Sequence, residues 1–477
     1  MLEFIPAPGA RMSDSQVTKP NIVLIMTDQQ RWDTLGCLGF DHMITPNIDR
    51  LAKRGVAFSQ AFVQGTVCGP SRNSIVSGQY VHTHGIEKNE AWLTPEQPNW
   101  IEQLRDGGYH TVNIGKMHTS PIRLPCGFNH RTVVENKNYR QGGHGPDPDD
   151  YDLYLMQFGL KRPALSYHFE VSDWPDHLGA TVWQHDEDLF IDNCVGRWSV
   201  DSIRDHDFEK PLFLWSGFAG PHDPYDVTQS ALDLYDDVEI PDPIGYDGEL
   251  DTKPPTQKES MERMDGRESP AAIWWSRATP ERVRQMRKHY YANITLIDEW
   301  VGKIVAEIEK KGALDNTIFV FTSDHGDCLG DHGLVYKFSS HYDSVARVPF
   351  VVAGPGVTEL GIQDPLVELI DLGPTLLDYA GLGTLEGASG VSVRSLLEGN
   401  RSPIHDIVFS EHYPRIMART KEWKLVFYPG EVYGELYYLE EDPDELYNLY
   451  SDPKRALVRS DMVERMMHWY GETRMQI

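Results

Sequence analysis

The 477-residue chain has few cysteines and no long apolar run. Its cysteines are odd in number and widely spaced, at positions 37, 68, 126, 194 and 328. This spacing argues against a disulfide framework and against a zinc site built from paired cysteines. No run approaches the ~20 apolar residues that a transmembrane helix needs. We therefore expect a soluble globular protein without a membrane span.

Basic residues are scarce beside acidic ones. The chain has 44 Lys and Arg against 72 Asp and Glu, which gives a net charge of −28. This charge disfavours nucleic acid or an anionic membrane surface as a partner, because both repel a negative protein. If the substrate is itself an anion, a local cluster of positive side chains must bind it against the field of the whole chain.

The amino terminus lacks the features of a secretory signal. Residues 1–6, Met-Leu-Glu-Phe-Ile-Pro, contain neither a basic region nor a long apolar stretch. Together with the low cysteine content, this predicts a cytoplasmic protein in a compartment that keeps thiols reduced.

Short apolar runs rich in branched residues predict buried strands of a mostly parallel sheet. They are expected at residues 21–26, 111–114, 211–215, 317–322 and 348–352. Helical patterns lie between them, and the longest runs from Thr279 to Gly312 with an apolar residue every three or four positions. The alternation predicts an α/β domain with helices on both faces of the sheet. Ligands of such sheets bind beyond the carboxyl ends of the strands.

The remaining segments have different patterns. Residues 136–270 are rich in Gly, Pro, Asp and aromatics with weak periodicity, so we expect long loops and insertions around the site, apart from the strand near 211. Aromatic runs at 423–427 and 435–439 predict a small antiparallel sheet closed by a terminal helix. We therefore divide the chain into a catalytic domain at 18–390 and a smaller carboxyl-terminal subdomain at 391–477.

Two polar pairs follow predicted strands. Asp28-Gln29 comes after the first strand, and Asp324-His325 comes after the strand at 317–322. Two carboxylates, an amide oxygen and an imidazole could surround one divalent cation if the strand ends converge. Asp28 and Asp324 taken singly also fit the role of caps for helices or turns. The spacing alone leaves both interpretations open.

Cys68 opens the run Cys-Gly-Pro-Ser-Arg72. A cysteine just before Pro and a polar first turn predicts a helix amino terminus, where the dipole and free amides favour an anionic nucleophile or a bound oxyanion. A buried small residue without chemistry is the plainer interpretation of a lone cysteine.

The run resembles the Cys-x-Pro-x-Arg signature of type I sulfatases, members of the alkaline phosphatase superfamily. Six further segments resemble family elements in family order and cover nearly the whole chain: Gly115-Lys116-Met117-His118, Pro221-His222-Asp223-Pro224, Ser323-Asp324-His325-Gly326, Lys337, Arg347-Val348-Pro349 and the stretch from Leu436 to Leu449. The resemblance implies an alkaline-phosphatase-like α/β sandwich, with the large sheet covered by helices on both faces and a small antiparallel sheet plus helix at the carboxyl end. Its basic residues also supply the positive cluster that an anionic substrate requires.

The resemblance implies hydrolysis of sulfate monoesters, releasing sulfate and an alcohol. Cys68 would be oxidised by a formylglycine-generating enzyme to 3-oxoalanine (formylglycine), whose hydrate attacks sulfur. Arg72 and His118 would hold and deprotonate this gem-diol, and the sulfuryl oxygens would contact Lys116, His222 and Lys337. His222 or Lys337 would protonate the leaving oxygen. The implied metal ligands are Asp28, Gln29, the modified Cys68, Asp324 and His325.

Two positions depart from the commonest family pattern. Gln29 stands where many members have Asp, and His325 stands where many have Asn. The site is therefore less negative and softer than in most members. The resemblance implies calcium as the first expectation, and the softer donor set makes manganese the second. The same pairs occur in the related phosphonate monoester and phosphodiester hydrolases. Lys116 and His118 favour a sulfatase, because those relatives carry Tyr and Thr there.

A catalytically silent relative that only binds a metal or ligand is the alternative of another class. It would show a broken nucleophile or a missing base, and the sequence shows neither. The expected partners are a small-molecule or saccharide sulfate ester and the modifying enzyme, and a homo-oligomer is possible on general grounds.

Overall fold

The computed structural model describes residues 19–137, 148–162, 173–266, 273–337 and 340–474. Parts of the predicted loop region, at 138–147, 163–172 and 267–270, lie outside the described residues. The strands are β1 Asn21–Asp28, β2 Gly55–Phe62, β3 His110–Gly115, β4 His130–Val133, β5 Thr181–Val182, β6 Leu212–Pro221, β7 Asp226–Val227, β8 Thr317–Ser323, β9 Arg347–Ala353, β10 Gly361–Glu368, β11 Val408–His412, β12 Arg415–Arg419, β13 Trp423–Phe427 and β14 Glu435–Tyr438.

Helices occupy much of the chain between these strands. They are α1 Pro46–Lys53, α2 Cys68–Ser77, α3 Val81–His84, α4 Trp100–Asp106, α5 Asp150–Met156, α6 Ile191–Asp205, α7 Gln229–Asp233, α8 Pro255–Met264, α9 Pro280–Lys310, α10 Asp343–Ala346, α11 Leu372–Ala380, α12 Arg394–Leu397 and α13 Ala456–Thr473. Within the described ranges, no helix is both long enough and apolar enough to cross a membrane.

The large sheet has eight strands in the order β10-β2-β9-β8-β1-β6-β3-β4. Only β9 is reversed among them: it runs antiparallel to β2 and β8, and the remaining neighbours are parallel. Because β1, β3, β6 and β8 point the same way, the segments that follow them emerge at one edge of the sheet.

Each face of this sheet carries its own apolar core. Val23 and Ile25 of β1 pack with α6 and α9 on one face. Ile22, Leu24 and Met26 pack with α2, α4 and α11 on the other face. Successive side chains of a strand point to opposite faces, so a continuous apolar run is the pattern of a strand buried on both sides. The expected α/β sandwich is confirmed.

The carboxyl-terminal part forms a second sheet. Strands β11 to β14 pair antiparallel in chain order. One face packs on Met462, Met466 and Trp469 of α13, and the other packs on Phe62 at the end of β2. The predicted small sheet and terminal helix are confirmed, whereas the division at residue 390 stays a prediction.

The prediction of loops over 136–270 is wrong at α6, a buried helix that packs on α9. Two polar residues on its buried side, Asp192 and Ser199, interrupt the apolar repeat. Asp192 accepts hydrogen bonds from the backbone of Ala219 and Gly220. Ser199 is hydrogen-bonded to Ser216. These polar contacts hold α6 against β6. The apolar residues Ile191, Cys194, Val195 and Ile203 still lie on one face of the helix and are the signal that could have revealed it.

Candidate active site

Four strand ends of the large sheet bring the predicted site residues together. Asp28 ends β1, Asp324 follows β8, His222 follows β6 and Lys116 follows β3. All four side chains are at least nine-tenths buried. The convergence that the sequence could not establish is therefore present, at the edge where α/β sheets bind their ligands.

Cys68 is the first residue of α2, as predicted. Its backbone enters the helix from an extended Val67. The sulfur lies 3.1 Å from Nε2 of His325, 3.8 Å from Oδ1 of Asp28 and 3.9 Å from Nζ of Lys116. Cys68 is 1% exposed. The side chain thus points into the convergence of strand ends rather than into the apolar core.

The charges around Cys68 favour its ionised form. Burial and the carboxylate of Asp28 both act to raise the pKa of the thiol. The positive charges of Lys116, Lys337 and His325 outweigh them, and the pKa lies below its ordinary value. An atom at this position is therefore held where negative charge is stabilised.

Each of the three guanidinium nitrogens of Arg72 donates a hydrogen bond inside the site, two of them to candidate metal ligands. Its Nε donates to Oδ2 of Asp324 at 2.8 Å, and Nη2 donates to Oδ2 of Asp28 at 3.0 Å. Nη1 donates to the backbone oxygen of Lys116 at 2.9 Å. The guanidinium therefore fixes two carboxylates and one lysine, all of them buried.

Lys116 lies between Asp28 and the segment after β4. Its ammonium forms an ion pair with Oδ2 of Asp28 and donates to Oδ1 of Asn136 at 2.5 Å. Burial acts to raise the pKa of Asp28, but Lys116, His222 and Arg72 lower it well below its usual range. Asp28 is therefore ionised although it is wholly buried.

His222 and Lys337 form a hydrogen-bonded pair. The imidazole Nδ1 faces the backbone oxygen of Asp223 at 2.7 Å, so this nitrogen carries the proton. Nε2 lies 2.9 Å from Nζ of Lys337 and accepts from it. Burial and the charge of Lys337 keep the pKa of His222 well below its usual value. In this arrangement Lys337 holds the proton of the pair.

Gln29 lies at the back of the site with a positive φ of 66°. Its amide oxygen accepts from Lys337 at 2.5 Å. Its amide nitrogen donates to Asp223 at 3.3 Å and to Asp327 at 2.5 Å. The amide oxygen of Gln29, which is the predicted metal-ligand atom, thus accepts a hydrogen bond from Lys337. Asp223 and Asp327 were missed by the sequence reasoning, although both lie inside or beside recognised motifs.

The donor atoms needed for a metal ion lie close together. Oxygen atoms of Asp28 and Asp324, a ring nitrogen of His325 and the sulfur of Cys68 all lie within 4.8 Å of one another. His325 uses Nδ1 to contact the backbone oxygen of Gly326 at 2.9 Å, which leaves Nε2 directed at Cys68. Two carboxylates and an imidazole form a donor set that suits a divalent cation. The residues fit a metal site.

The remaining predicted catalytic histidine is His118, and three further histidines have hydrogen-bond partners in the fold. His118 is buried at a positive φ of 61°, directly after Lys116 and Met117. His84 is hydrogen-bonded to Ser74, and His82 to Glu411. His332 is hydrogen-bonded to Glu249. The side chains of these last three histidines are therefore held by hydrogen bonds to Ser74, Glu411 and Glu249.

The family model described as Sulfatase matches residues 20–382, and the one described as N-sulphoglucosamine sulphohydrolase, C-terminal, matches residues 330–471. An arylsulfatase of Clostridium perfringens is 32% identical, with 90% of each chain covered. A choline-sulfatase of Rhizobium meliloti is 28% identical over 94% of this chain and 87% of the relative.

The phosphonate monoester hydrolase of Agrobacterium radiobacter has a solved structure that matches with a TM-score of 0.82 at 23% identity, covering 95% of this chain and 96% of that chain. This similarity shows that the two chains share a fold. The family models and the arylsulfatase also show the family, because they match most of the chain in sequence. The chain belongs to the sulfatase family and is a sulfuric ester hydrolase.

Proposed function

We propose that the protein hydrolyses sulfate monoesters with a formylglycine nucleophile made from Cys68 and with one divalent metal ion. The observation that carries this proposal is the position of Cys68 at the start of α2, with its sulfur 3.1 Å from His325 and among the carboxylates of Asp28 and Asp324. The thiol there contacts the polar side chains of Asp28, Lys116 and His325.

The modified residue acts as an aldehyde hydrate. One hydroxyl would lose its proton to Asp324 and attack sulfur, so that a new S–O bond forms while the ester S–O bond breaks. The departing alcohol takes a proton from His222 or Lys337. The second hydroxyl then loses its proton to His118, the C–O bond to the sulfate breaks, and the aldehyde re-forms as inorganic sulfate leaves. Water hydrates the aldehyde again.

The cationic side chains stabilise the charge that develops on the sulfuryl oxygens. Lys116 lies beside Asp28, and Lys337 lies beside His222. Arg72 contributes indirectly, because its contacts fix the carboxylates of Asp28 and Asp324. This cluster is the local positive charge that a chain of net charge −28 needs for an anionic substrate.

We assign the metal to Asp28, Gln29, residue 68, Asp324 and His325. A bound divalent cation supplies Lewis-acid charge beside the sulfuryl oxygens. Calcium is the first choice by resemblance to the family. Manganese is the second, because His325 and Gln29 make the set softer and less negative than one built from carboxylates. A small-molecule or saccharide ester as substrate, a formylglycine-generating enzyme as maturation partner, a cytoplasmic location and a homo-oligomeric state stay predictions.

Hydrolysis of phosphonate monoesters or phosphodiesters is the second candidate. The match to the phosphonate monoester hydrolase structure favours it. Lys116 and His118 favour the sulfate ester, because two basic groups suit a sulfate with a discrete leaving group. Both candidates use the same nucleophile, so only substrate preference separates them.

The test compares wild type with Cys68→Ala on 4-nitrophenyl sulfate, a phosphonate monoester and a phosphodiester, with calcium or manganese added. Cys194→Ala is the matched control, because Cys194 is also a buried free thiol but lies in α6. We expect wild type and control to prefer the sulfate ester and Cys68→Ala to be inactive on all three. Intact-mass measurement in the native host should show residue 68 as 3-oxoalanine; an unmodified thiol there would contradict the proposed nucleophile.

A further inference from the structure

The short segment that follows β4 touches two cationic elements of the site. Asn136 accepts a hydrogen bond from Nζ of Lys116 at 2.5 Å through its side-chain oxygen. The next residue, Lys137, reaches in another direction, to the loop that carries His222. Lys116 and His222 follow different strands, β3 and β6, so this dipeptide connects two parts of the site that are distant in sequence.

Lys137 has no surface role, because its side chain is 2% exposed. Its ammonium donates to the backbone oxygens of Pro224 at 3.3 Å and Asp226 at 3.2 Å. It also contacts Oδ1 of Asp226 at 2.8 Å and Oδ1 of Asn293 at 3.2 Å. A buried ammonium needs such acceptors, and here most of them belong to the loop just after His222.

A second set of contacts holds the part of the same loop that precedes His222. Asn293 of α9 donates to Asp192 of α6 at 3.0 Å, and Asp192 accepts from the backbone amide of Gly220 at 3.1 Å. A Cβ atom on Gly220 would lie 2.1 Å from the Asn293 oxygen, so only glycine allows this approach. The network of Asp192, Asn293 and Lys137 therefore holds the backbone of Gly220 and Pro224, which lie two residues before and two residues after His222.

We propose that Asn136 and Lys137 are positioning residues of the reaction: Asn136 sets the ammonium of Lys116, and Lys137 sets the loop of His222. The proposal rests on the roles of Lys116 and His222 in the proposed function. Neither residue of the pair is assigned contact with the substrate.

Loss of the Lys137 contacts and loss of the Asn136 contact should affect different kinetic parameters. His222 is placed against Lys337 at 2.9 Å, and this pair protonates the leaving oxygen. Loosening the loop misplaces the proton donor, which matters most for an alcohol that leaves poorly without a proton. Loosening Lys116 instead weakens the hold on the sulfuryl oxygens, which affects substrate binding and inhibition by inorganic sulfate.

The test measures kcat and KM of wild type, Lys137→Met and Lys137→Arg on two sulfate esters, one with an activated leaving group, 4-nitrophenyl sulfate, and one with an unactivated leaving group, phenyl sulfate. Lys253→Met is the matched control, because Lys253 is equally buried, forms an ion pair with Glu249 and donates to Tyr437 and to the backbone of Glu445. Thermal melting of each variant records its loss of stability.

We expect Lys137→Met to lower kcat on phenyl sulfate by roughly 10- to 100-fold, because a displacement of about 1 Å has such effects, and to lower it much less on 4-nitrophenyl sulfate. Lys137→Arg should recover part of this loss. Lys253→Met should melt earlier but keep the wild-type ratio between the two substrates. Asn136→Ala should raise KM and the inhibition constant of sulfate several-fold with a smaller effect on kcat.

Equal losses on both esters in Lys137→Met, or the same ratio as in Lys253→Met, would overturn the role of Lys137. Unchanged KM and sulfate inhibition in Asn136→Ala would overturn the role of Asn136. Failure of the proposed function is a separate outcome, because it appears as activity retained in Cys68→Ala. If wild type prefers phosphonate monoesters, the same comparison is made with their 4-nitrophenyl and phenyl esters, and the same leaving-group effect is expected.

Discussion

Replacing Arg72 by Met should destabilise the fold, because the guanidinium lies buried between two carboxylates. It contacts Asp324 at 2.8 Å and Asp28 at 3.0 Å, and all three side chains are 0% exposed. Removing one partner of a buried ion pair costs about 3–5 kcal/mol, since the remaining charge is left without compensation. With an unfolding entropy of about 2.1 cal/mol/K per residue, a chain of this length should melt about 3–5 °C lower.

The assay is thermal melting of metal-stripped wild type and variant, followed by addition of calcium or manganese. Arg162→Met is the control, because Arg162 is also buried and also forms ion pairs with two carboxylates, Asp149 and Asp152. Both variants should melt lower than wild type without metal. Added metal should recover part of the deficit only in Arg72→Met, because the cation restores positive charge between Asp28 and Asp324. The reasoning is refuted if Arg72→Met melts with wild type, or if metal acts equally on both variants.

Three further results are expected. Chelation followed by dialysis should abolish turnover, and calcium should restore more of it than manganese in a direct rate comparison. Burial acts to lower the pKa of His405, but its hydrogen bond and ion pair with Asp371 raise it to about 9. The charged form of His405 therefore adds stability that is complete below pH 6.5 and lost as the pH rises to about 9. At pH 6 the difference is about 3 kcal/mol, so His405→Gln should melt at most about 3 °C below wild type. This gap in melting temperature should close above pH 9, and a gap that stays constant with pH would contradict the prediction. Trp100→Ala should lower the melting temperature by about 3–5 °C, because it removes a wholly buried ring worth about 3–5 kcal/mol and a hydrogen bond to Ile75; a shift below 1 °C would contradict this.

The strands of the large sheet could be predicted because their physical requirement is local. A strand covered on both faces needs a run of apolar branched residues, and residues 21–26 and 317–322 satisfy it. The start of α2 at Cys68 was also predicted, from a proline in the first turn and the polar residues around it. The helix α6 was not predicted, although its apolar residues lie on one face. What the sequence could not show is the burial of Asp192 and Ser199, which depends on hydrogen-bond partners on β6 that are remote in sequence.

The sequence by itself determined which chemical groups this protein has: a cysteine in a run that resembles the sulfatase signature, two polar pairs after strands, and basic residues near both in a very acidic chain. The tertiary structure decided what those groups do to one another. Arg72 forms ion pairs with Asp28 and Asp324. Lys337 holds the proton in its hydrogen-bonded pair with His222, and it also donates to the amide oxygen of Gln29. Such assignments depend on distances of about 3 Å between residues up to 308 positions apart, and the parallel order of strands in the folded sheet sets those distances.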